Sequence, residues 1–277
     1  MRFTEGHFKG CQDYNCYYQA LLPNGSPKAI VLVVHGLGEH SGRYSELAHY
    51  LADRSYAVYA YDHFGHGKTD GKAGYVSSYD VYIYDLISAF SMVQAKHPTS
   101  KIFIFGHSMG GLVTAAYASK HQYDASGLIF SSIALKPYTG MPGILNQLVK
   151  PISKIAPMLG IRKIDAATIS HNKEIVKAYD EDPLVLHQRM SAQMAAEFLR
   201  ICQDLPDFLK NISLPSLIIH GEEDHLVNIS GSRELAQKIS SKDKTLITYP
   251  GMYHEVFNEP DCPQVWNDLF FWLENHL

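Results

Sequence analysis

Lys101-Ile102-Phe103-Ile104-Phe105-Gly106-His107-Ser108-Met109-Gly110-Gly111-Leu112-Val113 is an apolar run that stops at a glycine, passes a serine and restarts on small residues. Unbroken apolarity over five or six positions suits a strand buried on both faces, as in a parallel sheet. Thr114, Ala115 and Ala116 then continue as the opening of a helix. Gly106-x-Ser108-x-Gly110 therefore sits on a strand-to-helix turn, the shape that exposes a serine hydroxyl for attack. Glycines on either side let the backbone pass without a clash. The helix N-terminus behind the serine favours the negative charge of a tetrahedral intermediate. A G-x-S-x-G alone arises by chance. Between a buried strand and a helix start it marks Ser108 as the nucleophile of an α/β-hydrolase.

The rest of the chain extends this reading. Apolar runs at residues 30–35, 57–61, 127–131, 216–220 and 245–249 predict further buried strands. Helical spacing of apolar residues lies between them, over 44–54 and 81–96. Alternating strand and helix argue a mostly parallel, doubly wound sheet. Residues 8–22 read as an antiparallel hairpin at its edge. More than eighty residues separate the strand ending near Ser132 from the next near Leu217, far beyond what a βα connection needs. Helical patterns at 144–159, 173–179 and 190–209 predict an inserted cap. Prolines 137, 142, 151 and 157 predict that the first of these helices is broken into pieces. The expected layout is core at 1–133, cap at 134–204 and core again at 205–277.

A serine hydroxyl needs a base, and the base needs an acid to orient it. In this fold they follow in the order serine, acid, histidine. Glu222-Glu223-Asp224 lies just past a strand end, where chemistry sits in open α/β sheets. Asp224 is the preferred acid and Glu223 the alternative. His254 follows the last strand and is the expected base. His225 adjoins the acid too closely to face it, and His276 lies at the chain end, where fraying is expected. His35-Gly36-Leu37-Gly38 ends an early strand in the manner of lipase H-G turns, so the N–H groups of Leu37 and Met109 are candidate oxyanion donors. His35-Gly36 read simply as a chain reversal is the alternative. Asp62-His63-Phe64-Gly65-His66-Gly67 reads as a structural loop in which Asp62 and the histidines bond backbone.

Composition excludes several other classes. A net charge of -4, with no basic run interleaved with aromatics, gives no case for nucleic acid. Four scattered cysteines form neither a C-x-x-C pair nor a disulfide framework. Fifteen histidines show no H-E-x-x-H or other ligand spacing, so neither metal nor organic cofactor is expected. No secretory leader and no long apolar span stand out, which predicts a soluble, cytoplasmic protein.

His35-Gly36-Leu37-Gly38-Glu39-His40-Ser41-Gly42-Arg43-Tyr44, Asp62-His63-Phe64-Gly65-His66-Gly67 and Gly106-His107-Ser108-Met109-Gly110-Gly111 resemble segments of monoglyceride lipases. The resemblance runs on through Asn172-Lys173, Asp182-Pro183-Leu184 and Asp243-Lys244-Thr245-Leu246, and so covers nearly the whole chain. It implies hydrolysis of monoacylglycerols or lysophospholipids by Ser108, Asp224 and His254, with oxyanion amides from Leu37 and Met109. It also implies that Glu39, Arg43 and Tyr179 lie near the polar head of the substrate. For Arg43, a solvated surface charge is the alternative.

Two positions depart from the family. Leu37 is bulkier than the alanine common in animal members, and Phe257 stands where those members carry a head-group-binding histidine. Lysophospholipase, general carboxylesterase and acyltransferase activities would use the same three residues. A non-catalytic binding module of this fold would have lost the serine or the histidine, and both are present. Finally, Ile144, Leu145, Leu148, Val149, Ile152, Ile155, Ala156 and Leu159 recur at helical spacing with Lys150 and Lys154 alongside. That pattern predicts one broad apolar stripe and transient contact of the cap with lipid surfaces. Packing of the stripe on the core is the alternative.

Overall fold

Strands that are apolar on both sides need cover on both sides, and that requirement organises the chain. The computed structural model describes residues 1–121, 124–138 and 143–277, and of residues 143–147 the backbone alone. Strands β1 (Arg2–Lys9) and β2 (Asn15–Leu22) form an antiparallel hairpin at the sheet edge. The hairpin begins six residues earlier than its apolar pattern suggests. The reason is that β1 alternates between exposed and half-buried positions, as an edge strand with one wet face does. Strands β3 (Ile30–Val34), β4 (Ala57–Tyr61), β5 (Ile102–His107) and β6 (Gly127–Ser131) are buried at every position.

After β6 the chain leaves the sheet and builds a separate layer. This layer contains α-helix, short strand and irregular chain, and it returns at Ser216. With the preceding helices α1 (Ser45–Ala52), α2 (Asp80–Lys96) and α3 (Met109–His121), its helices are α4 (Gly143–Ile155), α5 (Lys173–Glu181) and α6 (Ala192–Asp204). Two features differ from expectation. Helix α4 runs through Pro151 without breaking. A proline forfeits one ladder hydrogen bond and crowds the carbonyl four residues earlier, and contact with α6 offsets that cost. Met190–Ser191 (β8) is also strand, not the start of a helix, and pairs antiparallel with Gly160–Arg162 (β7). Elements of two or three residues are too short to carry a period.

Strands β9 (Ser216–Gly221) and β10 (Lys244–Tyr249), with helices α7 (Ser230–Lys238) and α8 (Cys262–Glu274), complete the core. The eight-stranded sheet has the order β1-β2-β4-β3-β5-β6-β9-β10 and is parallel from β4 onward. Strand parity divides the core in two. Val31, Val33, Phe103, Phe105, Leu217 and Ile219 pack on α1 and α8. Ile30, Leu32, Ile102, Ile104, Leu128 and Ile218 pack on α2, α3 and α7. Each such fully buried side chain contributes roughly 1.5–3 kcal/mol, so a one-residue slip of register would forfeit a whole face. This is the α/β-hydrolase fold, and it places the C-terminal ends of β3, β5, β6 and β9 side by side beneath the inserted layer.

Candidate active site

Ser108 leaves the central strand β5 with φ 52°, a left-handed conformation that few non-glycine residues adopt. Its neighbours explain why the turn holds. A Cβ on Gly106 would meet Thr114 Oγ1 at 2.4 Å, and one on Gly110 would meet Val34 O at 2.0 Å. Both positions must therefore be glycine for α3 to pack this closely over β3 and β5. The Ser108 N–H donates to Ser131 O at 2.9 Å, which pins the turn to β6.

Asp224 lies in the loop after β9. Its Oδ1 accepts from the N–H groups of Leu226 (2.7 Å) and Val227 (2.9 Å), and its Oδ2 lies 2.6 Å from His254 Nδ1. His254 follows β10, is buried, and is held through its own carbonyl by Ser132 Oγ at 2.8 Å. Glu222 and Glu223 are exposed, and Glu222 accepts from Thr248 Oγ1. Of the three neighbouring acids, Asp224 alone faces His254.

Burial raises the proton affinity of the Asp224 carboxyl, but the imidazolium charge of His254 and the hydrogen bonds of His220 and His254 outweigh it and hold the group well below the usual carboxylate range. For His254, burial disfavours the cation, and the Asp224 carboxylate reverses that and lifts the ring above its ordinary value. His107 packs on it with ring centroids 4.8 Å apart, and burial followed by the His254 charge keeps His107 neutral.

The rival histidines sit elsewhere. His225 is exposed and packs edge-on against Tyr253. His276 is not frayed as expected, because it stacks on Trp272 at 4.1 Å and contacts Asp243 at 3.0 Å. Its carbonyl accepts from Lys101, however, at the opposite end of β5 from Ser108.

Ser108 and His254 line one cleft of about 630 Å³, together with Leu37, Glu39, Tyr179 and Glu255. Its other walls are largely apolar, among them Ile164, Ile169, Met190, Phe198 and Leu226. No hydrogen bond joins the Ser108 hydroxyl to His254 in this conformation. Leu37 follows β3 and borders the cleft, and Met109 opens α3 with its side chain buried behind it.

Glu39, Arg43 and Tyr179 do come together. Arg43 Nε lies 3.4 Å from Glu39 Oε2, and its guanidinium covers the Tyr179 ring at 4.8 Å. Arg43 is buried, so the reading of it as a solvated charge is replaced by that of an internal ion pair. Sequence reasoning missed the second carboxylate of this cluster. Glu255, next to the expected base, lies 2.6 Å from Arg43 Nη2 and also accepts from Asn258 Nδ2. The available signal was an acidic residue adjoining the base in an otherwise apolar stretch. Burial and then the Glu255 charge raise the Glu39 carboxyl, against the Arg43 charge and the Tyr44 and Gly36 hydrogen bonds. Phe257 is buried below, edge-on to Phe105 at 4.9 Å, and offers no polar atom where the family carries a histidine.

The Asp62 loop is built as a scaffold. Asp62 accepts from the Ser41 and Lys68 N–H groups, and His35 Nε2 accepts from His63 N–H. No group of three or more potential metal ligands occurs among the described residues. None of their helices is long and apolar enough to cross a membrane.

The Hydrolase_4 family model, described as serine aminopeptidase S33, matches residues 25–261. The chain is 33% identical to a monoacylglycerol lipase of Mycolicibacterium smegmatis, over 99% of this chain and 98% of that protein. It is 30% identical to the phospholipase YtpA of Bacillus subtilis, over 86% of this chain and 92% of that one. The crystal structure of a monoacylglycerol lipase from Paleococcus ferrophilus superposes with a TM-score of 0.84 at 31% identity, covering all of both chains. With the fold and the cleft already described, these likenesses place the chain in the monoglyceride lipase family of α/β-hydrolases, as a serine hydrolase.

Proposed function

We propose that this enzyme cleaves monoacylglycerols to a fatty acid and glycerol through an acyl-enzyme, with residues 134–204 acting as a cap between the core segments 1–133 and 205–277. The observation that carries the reading is the 2.6 Å contact of Asp224 with His254 beside a serine on a strand-to-helix turn. Ser108 Oγ attacks the ester carbonyl while His254 Nε2 takes its proton. Asp224 keeps the other ring proton on Nδ1 and stabilises the imidazolium. The N–H groups of Leu37 and Met109 donate to the oxyanion. Collapse of the intermediate passes the proton from His254 to the departing glycerol oxygen. Water then repeats the sequence on the acyl-enzyme and releases the fatty acid.

The cleft suits such a substrate. Its apolar walls accept an acyl chain, and Glu39, with Arg43 and Glu255 behind it, lies at the polar end where a glycerol head would sit. The names of the M. smegmatis and P. ferrophilus relatives support the same substrate. A panel of monoacylglycerols, lysophospholipids and nitrophenyl esters tests the reading, with a fluorophosphonate label mapped by peptide analysis. Monoacylglycerol should be the best lipid ester and the label should sit on Ser108. Full activity in Ser108→Ala would overturn it.

One observation favours a lysophospholipid as a second substrate. Arg162 of β7 lines the cleft, and among the described residues it has no carboxylate partner. Burial disfavours its charge, so a substrate phosphate would supply the missing counter-ion. The phospholipase among the relatives agrees with this. Substrate capture is read as transient contact of the cap with lipid surfaces. Leu148, Ile155, Met158 and Leu159 are exposed there, beside Lys150 and Lys154.

A further inference from the structure

His220 sits on β9 with none of its surface exposed, and it is the second histidine on the acid. Its Nε2 lies 3.1 Å from Asp224 Oδ2, the oxygen that also contacts His254, and 3.3 Å from Val227 O. Its Nδ1 lies 2.7 Å from Ser232 Oγ on α7, and Ser232 is likewise fully buried. These contacts determine where the protons are. A carboxylate and a backbone carbonyl only accept, so Nε2 must carry the hydrogen of the neutral ring. Nδ1 is then an acceptor, and the Ser232 hydroxyl donates to it.

We propose that Ser232 and His220 are positioning residues of the hydrolytic machinery, extending it into a five-member chain: Ser232, His220, Asp224, His254, Ser108. Ser232 fixes the tautomer of His220, so that its Nε2–H, which bonds Val227 O, is also presented to the carboxylate oxygen that His254 contacts. Asp224 thereby receives two backbone N–H groups on Oδ1 and the His254 imidazole on Oδ2, and the protonated edge of His220 faces the same Oδ2 at 3.1 Å. A carboxylate satisfied in this way does not rotate, and its charge is shared between two rings. The sharing limits how strongly Asp224 holds the proton on His254, which must leave that ring again when the alcohol departs.

The proposal rests on Asp224 and His254 being acid and base, and it makes a prediction a packing role does not. Removing the His220 donor concentrates the Asp224 charge on His254. The ring then becomes more basic, and the acid limb of the pH–rate profile moves to higher pH. The other groups near His254 are His107 on β5, the adjacent Glu255, and Glu39 and Arg43 from the loop after β3. None of these changes in the test.

The experiment compares His220→Phe, His220→Gln and Ser232→Ala in the full chain, with a water-soluble nitrophenyl ester across pH 5–9. His220→Phe should lower kcat about tenfold, the weight of one hydrogen bond to a charged group. KM should stay within about twofold, and the acid limb should rise by roughly half a pH unit. His220→Gln, whose amide donates from nearly the same place, should recover most of both changes. Ser232→Ala keeps the ring but frees its tautomer, and should move the limb the same way by less. That variant carries the test if the phenylalanine disrupts folding. An unmoved limb in the soluble variants overturns the proposal, as does a glutamine no better than phenylalanine. Asp224→Asn in the same assay separates the two readings. If that change is tolerated, the acid–base assignment fails first. If it is severe while the limb stays put in His220→Phe, only the role of His220 and Ser232 falls.

Discussion

Arg43 Nη2 lies 2.6 Å from Glu255 Oε2 across 212 positions of sequence, with both side chains less than a tenth exposed. Glu39 flanks the same guanidinium at 3.4 Å. One cation thus stands between two buried carboxylates at the polar end of the cleft. Burial alone would weaken the Arg43 charge, and the Glu255 and Glu39 carboxylates more than restore it. Arg43 is the common partner that makes both carboxylates tolerable inside the protein.

Arg43→Ala should therefore cost far more than a surface charge, about 3–5 kcal/mol of unfolding free energy, because it strands two charges at once. Glu255→Gln should cost less, since Arg43 keeps Glu39. Urea unfolding of the three proteins measures both. Equal midpoints for Arg43→Ala and the native enzyme would mean that water reaches the cluster and that the ion pair carries little.

The juxtaposition of Ser108, Asp224 and His254 was legible in the sequence, and the resemblance brought Glu39, Arg43 and Tyr179 together, whereas the place of Glu255 beside Arg43 was not legible. Ser108 and Asp224 each follow a run of buried apolar residues. His254 follows β10, which the sequence reads as buried but which is exposed or half-buried at all but Tyr249 because it is the sheet's other edge. A strand end is a local signal in each case. Arg43 and Glu255 meet only because β3 and β10 deliver their loops to one end of the sheet. No spacing along the chain encodes that. His220 was hidden for a related reason, since a histidine inside an apolar strand reads as part of the strand. The stretch between β6 and β9 was legible as an insertion with three helical patterns. Its β7–β8 pair and its unbroken α4 were not, because they are settled by contacts with neighbouring elements.

Asp224→Asn should lower kcat on the order of 10⁴-fold by favouring the wrong tautomer of His254. Glu223→Gln should leave it within about twofold, because an exposed side chain holds nothing in place. In the native enzyme His254 must be neutral to act as base, and its proton affinity is raised in the fold. Activity should accordingly fall on the acid side with an apparent pKa above 6.5, the unperturbed histidine value. A pH–rate profile in a soluble ester checks this, and a limb below 6.5 would contradict the assigned partnership with Asp224.

Asp85 gives a second pH signature, in stability and not in rate. It is buried on α2 and accepts from Tyr14 OH at 2.5 Å. Burial pushes its carboxyl from 3.8 up to about 6, against the opposing Tyr14 hydrogen bond. Between pH 4 and 6 the unfolded chain has released this proton and the fold still holds it. The contribution of Asp85 to stability should thus be fully present at low pH and fall as pH rises through about 6, by about 3 kcal/mol. Asp224 has the opposite sign, its contribution being lost only as pH falls below the ordinary carboxylate range. Asp85→Asn should therefore gain stability relative to the native enzyme as pH rises from 4 to 7. A constant difference between the two across that range would show that Asp85 does not titrate there.

The apolar pattern of α4 and the chain just after it, in the proposed cap, leads to a prediction about lipid surfaces. It does not form the single stripe expected from spacing alone. Val149 is 3% exposed and packs inward, whereas Leu148 is 46% and Ile155 86% exposed. The side chains of Ile144 and Leu145 lie outside the described residues. What faces solvent is an apolar edge made by Leu148, Ile155, Met158 and Leu159, with Lys150 and Lys154 exposed beside it. An apolar edge flanked by lysines matches the interfacial pattern, in which long cationic stems reach the head-group layer while the apolar side chains dip below it. Because so few side chains take part, binding should be weak and reversible. Ile155→Ser/Leu159→Ser removes much of this edge at sites that support little of the core, so thermal stability should be unchanged. Val149→Ser should destabilise the fold, and it controls for packing. In flotation with vesicles containing anionic lipid, part of the native protein should rise and the double variant should stay below. Activity on a soluble ester should remain equal in the two, while activity on dispersed monoacylglycerol should drop. If the double variant floats as well as the native protein, or loses stability like Val149→Ser, the edge belongs to the core and surface docking must lie elsewhere.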